Sequence, residues 1–164
     1  YFASKGNTKN VRGIILLAPI SDYASYLALD NKNGSHKKAL AAARALVQAG
    51  KPHEMIPDKL AGEFKCDAQR FISLYTPDSP EEVFPYVSPK RLPKALRKVT
   101  VPVLAVLAEN DEYSDRPAQD LHDWFTRHIY TGEAVIVQGS DHSFTGQEKP
   151  LQRLIAAFMK EGYN

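Results

Sequence analysis

The sequence has almost none of the residues that build disulfides or metal clusters, and no segment suited to a membrane. Its one cysteine, Cys66, cannot form a disulfide within the chain and has no cysteine or histidine partner at a metal-ligand spacing. We therefore expect no metal site, and a reducing compartment such as the cytoplasm is favoured. No apolar run reaches the roughly 18 residues that cross a bilayer, and no charged-then-apolar leader opens the chain, so we expect neither a membrane span nor a signal peptide.

The sequence also lacks an excess of either charge. Lysine and arginine total 21 against 19 aspartate and glutamate residues, the formal net charge is +2, and the basic residues are scattered along the chain. This distribution argues against nucleic acid and anionic membranes as partners. With 164 residues, 43% of them hydrophobic, the chain is long enough for one domain with a single core. No feature specifies an oligomeric state.

Three apolar runs predict the strands of a parallel sheet. Residues 11–18 and 101–108 lack the alternation of a half-exposed strand, which indicates strands buried on both faces, and residues 134–137 form a shorter run. Apolar residues at helical spacing predict a helix over 117–129, between the second and third strands, and a closing helix over 151–159. This part of the chain is therefore predicted to be α/β.

The stretch between the first two strands, residues 22–98, has a different character. It holds no convincing strand, and its helix-like pieces are broken by prolines. Ser35 can cap an alanine-rich helix that runs to Gln48, and residues 66–74 suggest another helix. Because the stretch is too long for a simple loop, we expect it to form a helical cap over the strand ends.

A polar cluster follows each predicted strand. Ser21 and Asp22 follow the first strand, Asp111 lies in the cluster after the second, and His142 lies in the cluster after the third. The carboxyl ends of parallel strands meet at one edge of a sheet, so these clusters are expected to face one crevice. A carboxylate beside an imidazole at neighbouring strand ends fixes the imidazole tautomer for proton transfer. Asp111 is therefore the candidate catalytic acid and His142 the candidate base.

These assignments have alternatives. Asp115 could replace Asp111 as the acid, and Asp111 could instead cap a helix, although the position of Asp115 favours capping or charging the first turn of the following helix. Asp141 is expected to order the loop around His142 through hydrogen bonds to its backbone. A polar turn after a buried strand has the same composition as a pocket wall. The candidate lining of a pocket beneath the cap is Ser21, Asp22 and Tyr23.

These segments resemble the α/β-hydrolase superfamily. Residues 101–111, a proline-led apolar strand that runs into Asp111, are similar to its penultimate-strand motif, with Ala108 where that family often has glycine. Residues 139–144 resemble its histidine loop, and residues 14–22 resemble the strand that follows its nucleophile helix.

Two shorter segments narrow the resemblance. Residues 70–74 and 110–113 are similar to a branch that includes fungal siderophore-esterase-like proteins. The resemblance implies an α/β fold class in which residues 1–164 are a partial domain: the C-terminal part of an α/β-hydrolase fold with three parallel strands, flanking helices and a helical cap insertion over 22–98. It further implies a serine hydrolase that needs no cofactor and acts on a small-molecule ester or other acyl compound.

The nucleophile that this resemblance requires is not found in the chain. In α/β-hydrolases the order is nucleophile, acid and histidine, and the nucleophile lies in G-x-S-x-G at a strand-to-helix turn. No G-x-S-x-G occurs here, Ser21 lacks flanking glycines, and Ser140 and Ser143 flank the candidate base itself.

The beginning of the chain indicates where the nucleophile could lie. Residues 1–6 have the sequence of a last helical turn closed by glycine, so we expect the nucleophile upstream of Tyr1 and no turnover by residues 1–164 alone. The alternative is a non-catalytic ligand-binding protein or pseudoenzyme on the same fold.

Overall fold

Three parallel strands form the sheet at the centre of the structure. The computed structural model describes residues 10–30, 35–61 and 65–161, together with Ser4 and Gly6. The strands are β1 (Ile14–Leu17), β2 (Val103–Ala108) and β3 (Gly132–Val137), in the order β1-β2-β3. With the helices beside them, they confirm the predicted α/β fold with three parallel strands. The helical turn predicted over residues 1–6 falls mostly outside the described residues.

Helices lie between the strands and after the last strand. They are α1 (Asp22–Asp30), α2 (Ser35–Gln48), α3 (Asp58–Ala61), α4 (Ala68–Leu74), α5 (Ala118–His128) and α6 (Glu148–Glu161), with a 3₁₀ turn at Leu96–Lys98. Helix α5 connects β2 to β3, as the sequence predicts, and α6 follows β3. No helix in the described part of the chain has the length and apolar composition to cross a membrane.

Strand β2 forms the centre of the core. It pairs with β1 on one side and β3 on the other, and all of its residues are buried. On one face, Ala105 and Leu107 belong to the same cluster as Phe125 of α5, and on the other face Leu104 and Val106 cluster with side chains of α6. A strand covered in this way has no solvent-facing side, which explains its continuous apolar sequence.

Strand β1 differs from the prediction that residues 11–18 are buried on both faces. The strand covers only Ile14–Leu17, its side chains are partly exposed, and Leu17 retains 49% of its accessible surface. Within the described residues β1 pairs with β2 alone, so its other edge is open. The prediction of complete burial is therefore wrong for this strand, because burial of β1 depends on a second neighbour.

The helices between β1 and β2 share a hydrophobic cluster separate from the sheet. Its centre contains Tyr26 of α1, Ala39 of α2 and Phe71 of α4, together with Tyr75, the residue that follows α4. The ring of Tyr26 lies 4.4 Å from that of Tyr75 and 5.4 Å from that of Phe71, centroid to centroid. These contacts join α1, α2 and α4 into one packed unit.

The helices of this unit match the sequence to different degrees. Helix α2 has the predicted bounds, and α4 begins after Asp67, whose Oδ1 accepts a hydrogen bond from Arg70 N at 2.7 Å. Helix α1 was not predicted, because Ser21 and Asp22 have the composition of a polar turn. The signal was Ser21, which acts as an N-terminal cap: its Oγ accepts a hydrogen bond from Ala24 N at 3.0 Å.

Gly132 allows β3 to approach β2 closely, and its substitution should be costly. Gly132 has φ of +121°, and a Cβ added there would lie 1.9 Å from Val103 O. Because that atom belongs to the backbone of the central strand, we predict that Gly132→Ala lowers the free energy of unfolding by more than about 3 kcal/mol. Urea denaturation of the full-length protein measures this loss.

Gly50→Ala is the matched control for this substitution. Gly50 also has positive φ, +74°, but nothing lies within 4 Å of a Cβ added there. Its substitution should cost only about 1 kcal/mol, from backbone conformation alone. Equal losses in the two variants would contradict the close approach of β3 to β2.

Candidate active site

The loops that follow β2 and β3 bring Asp111 and His142 together. His142 Nδ1 lies 2.9 Å from Asp111 Oδ2, within hydrogen-bond distance. The side chain of Asp111 is 4% exposed, whereas that of His142 is 34% exposed. The buried carboxylate therefore holds one edge of an imidazole whose other edge reaches the surface.

The same loop fixes the orientation of both side chains. Asp111 Oδ1 accepts a hydrogen bond from Tyr113 N at 2.9 Å, so both carboxylate oxygens have a partner. Glu112 Oε2 accepts a hydrogen bond from His142 N at 3.0 Å, and the Tyr113 ring contacts the imidazole edge to face, with centroids 5.0 Å apart. A carboxylate at Nδ1 favours the tautomer with its proton on Nδ1 and a free lone pair on Nε2.

Hydrogen bonds between the two loops hold this pair in place. Glu109 Oε2 accepts a hydrogen bond from Gly139 N at 2.7 Å, and Asn110 N donates to Ser140 O at 2.9 Å. The Ser140 side chain is completely buried, and its Oγ donates to Val137 O at 2.7 Å. Sequence reasoning missed Glu109 and Ser140, although both lie in the polar clusters that carry the candidate acid and base.

Asp141 orders the loop around His142, as the sequence predicts. Asp141 Oδ1 accepts a hydrogen bond from Thr145 N at 2.8 Å. Hydrogen bonds from the Thr145 backbone, above all, lower the pKa of Asp141. The adjacent Phe144 is buried and has φ of +57°, a strained value for this residue. Burial of its ring and the Asp141 turn together fix the loop.

Asp115, the alternative acid, pairs with an arginine and not with His142. Its carboxylate forms a bidentate ion pair with Arg116, and the Arg116 guanidinium lies 4.3 Å above the centre of the Tyr86 ring. The expectation that Asp115 caps or charges the first turn of α5 is wrong. The residue before α5 is Pro117, and the acidic residue in its first turn is Asp120.

A cavity of about 660 Å³ lies beside His142. Asp22 of α1 and Arg70 of α4 border it, as does Tyr113. The other two candidate lining residues, Ser21 and Tyr23, do not border this cavity: Ser21 is buried, and Tyr23 contacts the ring of His36, with centroids 5.9 Å apart. Further aromatic lining comes from Tyr26, Tyr75 and Phe84.

Ser21 anchors the start of α1 to the segment that precedes the 3₁₀ turn. Its N donates a hydrogen bond to Tyr86 Oη at 2.8 Å, and its Oγ donates to Glu82 Oε2 at 2.5 Å. Glu82 Oε1 also accepts from Phe84 N at 3.1 Å. Burial raises the pKa of Glu82 despite these hydrogen bonds, and burial likewise raises the pKa of Tyr86. The segment thus positions Asp22 at the cavity.

The remaining histidines and the cysteine do not border this cavity. His36 is buried, and its Nε2 lies 2.9 Å from Tyr75 O. Cys66 is half-buried, and burial raises the pKa of its thiol. Across the described ranges, no three His, Cys, Asp or Glu side chains are grouped so that they could hold a metal ion.

Comparison with known proteins gives one family match. The model of a family described as protein of unknown function, DUF1749, matches residues 1–160. No curated protein and no solved structure matches the chain.

The buried Glu82 predicts a specific pH dependence of stability. Its pKa is raised in the folded protein, so its contribution to stability is fully present below the ordinary glutamate pKa of about 4.3 and is lost as the pH rises through the raised value. We therefore expect the free energy of unfolding of wild type, relative to Glu82→Gln, to fall between about pH 4 and neutral pH. Urea denaturation across this range measures the difference.

The exposed Glu133 supplies the control, because Glu133→Gln removes the same charge outside the core. The difference in free energy of unfolding between wild type and Glu133→Gln should change less with pH than the difference between wild type and Glu82→Gln. If wild type instead gained stability relative to Glu82→Gln as the pH rises, the raised pKa of Glu82 would be contradicted.

Proposed function

This chain belongs to the DUF1749 family, and from that premise we propose that it carries the acid and the base of a serine hydrolase that cleaves carboxylic esters. The observation that carries the proposal is the 2.9 Å contact between Asp111 Oδ2 and His142 Nδ1 at the edge of a cavity. His142 Nε2 has no hydrogen-bond partner among the described residues. It is therefore available to a nucleophile.

In the proposed reaction, His142 Nε2 takes the proton of a serine hydroxyl as the serine oxygen attacks the ester carbonyl. The imidazolium, stabilised by the buried Asp111 carboxylate, then gives that proton to the departing alcohol oxygen, which leaves an acyl-serine ester. A water molecule loses a proton to the same nitrogen, attacks the acyl group and releases the carboxylic acid. The serine recovers its proton from His142, so the enzyme is unchanged after each turnover.

The serine is proposed to come from outside residues 1–164. Ser25 and Ser143 border the cavity, yet neither forms a hydrogen bond with His142 in the described structure. Ser143 is also adjacent to His142 in sequence. A serine in G-x-S-x-G, upstream of the acid and the histidine, would complete the order found in α/β-hydrolases.

The helical stretch between β1 and β2 is proposed to act as a cap. Helices α1 and α4 contribute Asp22 and Arg70 to the cavity, whereas the loop after β3 contributes His142. A substrate in this cavity would thus lie between the strand ends and residues 22–98. The helices of this stretch have a hydrophobic cluster of their own, and Ala24 of α1 also packs in the cluster of the sheet, which fixes the stretch over the strand ends.

The finer assignment concerns the substrate. The resemblance of residues 70–74 and 110–113 to fungal siderophore-esterase-like proteins makes siderophore-type esters suitable compounds for an initial assay. The Arg70 side chain and the Asp111–Tyr113 loop both border the site, which supports a contribution of these segments to selectivity.

Substitution of the proposed pair should abolish ester hydrolysis without unfolding the protein. We predict that His142→Ala in the full-length protein lowers kcat/KM by about a thousandfold or more, because no group then accepts the serine proton. Asp111→Asn should cause a loss on the order of a thousandfold, because an amide stabilises neither the tautomer nor the imidazolium. Steady-state hydrolysis of a chromogenic short-chain ester measures both effects.

His53→Ala is the matched control. The His53 side chain is 80% exposed and contacts Asp67, so its loss should leave kcat/KM within about twofold of wild type. Equal activity of wild type and His142→Ala would contradict the proposal. Absence of hydrolysis together with specific ligand binding would favour the non-catalytic alternative.

A further inference from the structure

The carboxylate of Asp22 is an unused charge in the cavity beside His142. It borders the cavity and forms no hydrogen bond or salt bridge with the residues that the structure describes. Asp22 is exposed to solvent at the cavity, and partial burial by the surrounding protein is the largest cause of its raised pKa. A carboxylate in this position would gain from a partner with a positive charge.

The helix does not account for the presence of Asp22. Ser21 already caps α1, with its Oγ accepting a hydrogen bond from Ala24 N at 3.0 Å. Ser21 is also held by Glu82 and Tyr86, so the start of the helix is fixed without any contact from Asp22. The favourable effect of a carboxylate near a helix N-terminus does not require a position on the cavity wall.

The arginine of the cavity lining is already paired. Arg70 borders the same cavity, but its Nη1 donates a short hydrogen bond to Glu81. The Arg70 charge lowers the pKa of Asp22, whereas the Glu81 charge raises it. Arg70 is thus held by Glu81, although its charge still acts on Asp22, and the Asp22 carboxylate has no hydrogen bond or salt bridge of its own with the described residues.

The walls of the cavity suit an organic cation. Tyr26 and Tyr75 border the cavity from the cap side, and Phe84 and Tyr113 add two more rings. Burial raises the pKa of Tyr75 to about 12, with the Asp22 charge adding to the shift, so this phenol is neutral near pH 7. Aromatic faces attract ammonium groups. They would also surround the hydrocarbon part of a ligand that links its ammonium group to an ester.

We infer that the site selects esters whose acyl or alcohol part carries a protonated amine, with Asp22 binding the ammonium group while His142 acts at the ester bond. This inference rests on the proposed esterase function and adds a substrate class to it. The ammonium group would donate charge-assisted hydrogen bonds to Asp22, which are about twice as strong as neutral ones. Asp22 is thus a specificity-determining residue, not a catalytic one.

A matched pair of esters tests the inference. The para-nitrophenyl esters of aminohexanoic acid and heptanoic acid have the same length and differ by an ammonium in place of a methyl group. We expect wild-type full-length protein to favour the amino ester in kcat/KM, and Asp22→Asn to lower that preference about tenfold. Asp78→Asn, at an exposed carboxylate outside the cavity lining, should keep the wild-type preference.

A binding measurement separates this inference from the esterase proposal. Calorimetric titration with hexylammonium and with hexanol requires no turnover. Tighter binding of hexylammonium by wild type and Asp78→Asn, but not by Asp22→Asn, would support the cation site even if neither ester is hydrolysed. In that case only the esterase proposal would fail.

Three outcomes would overturn the inference. The first is ester hydrolysis with equal or lower preference for the amino ester, and the second is a preference that survives Asp22→Asn. The third is preferential hydrolysis of the para-nitrophenyl monoester of pimelic acid, which would identify Arg70 as the selective group and an anion as its ligand.

Discussion

The parallel pairing of β2 with β3 is the constraint on which the candidate site depends. The register that places Ala108 opposite Val137 makes both strands end at the same level, so the loops that follow them begin side by side. Hydrogen bonds between those loops then bring Asp111 to His142. The sheet thus supplies the distance between the two side chains, and the loops supply their orientation.

Polar groups that are buried near this site have partners from distant parts of the chain. Ser21 is joined to Glu82 and Tyr86, and Ser140 accepts hydrogen bonds from Glu109 N and Asn110 N, which join the loops after β2 and β3. Such networks make the arrangement specific, because the loss of one partner leaves another buried group unsatisfied. Asp22 differs from these groups because it is exposed at the cavity and has no partner there among the described residues. This contrast is the basis for its proposed contact with substrate.

The sequence was most informative where structure follows from local pattern. The unbroken apolar run of β2 predicted a buried strand, and an acid after it with a histidine after the next strand predicted the contact between Asp111 and His142. Helix α2 could be predicted because its capping residue and its alanine-rich sequence agree.

Features that depend on long-range contacts could not be predicted. Helix α1 and the cavity wall are positioned by hydrogen bonds from Ser21 to residues more than 60 positions away. The exposure of β1 depends on which strands pair with it. The ion pair of Asp115 depends on Arg116, whose guanidinium is held above the ring of Tyr86. Composition alone does not distinguish these arrangements from a polar turn, a buried strand or a helix cap.

The most direct test of the proposed catalytic pair is covalent labelling of the full-length protein with a fluorophosphonate, followed by mass spectrometry. We predict that one serine outside residues 1–164 is phosphonylated, and that labelling is lost in His142→Ala but retained in His53→Ala, because only an activated serine reacts rapidly. Equal labelling of wild type and His142→Ala, or no labelled serine, would contradict the assignment of His142 as the base.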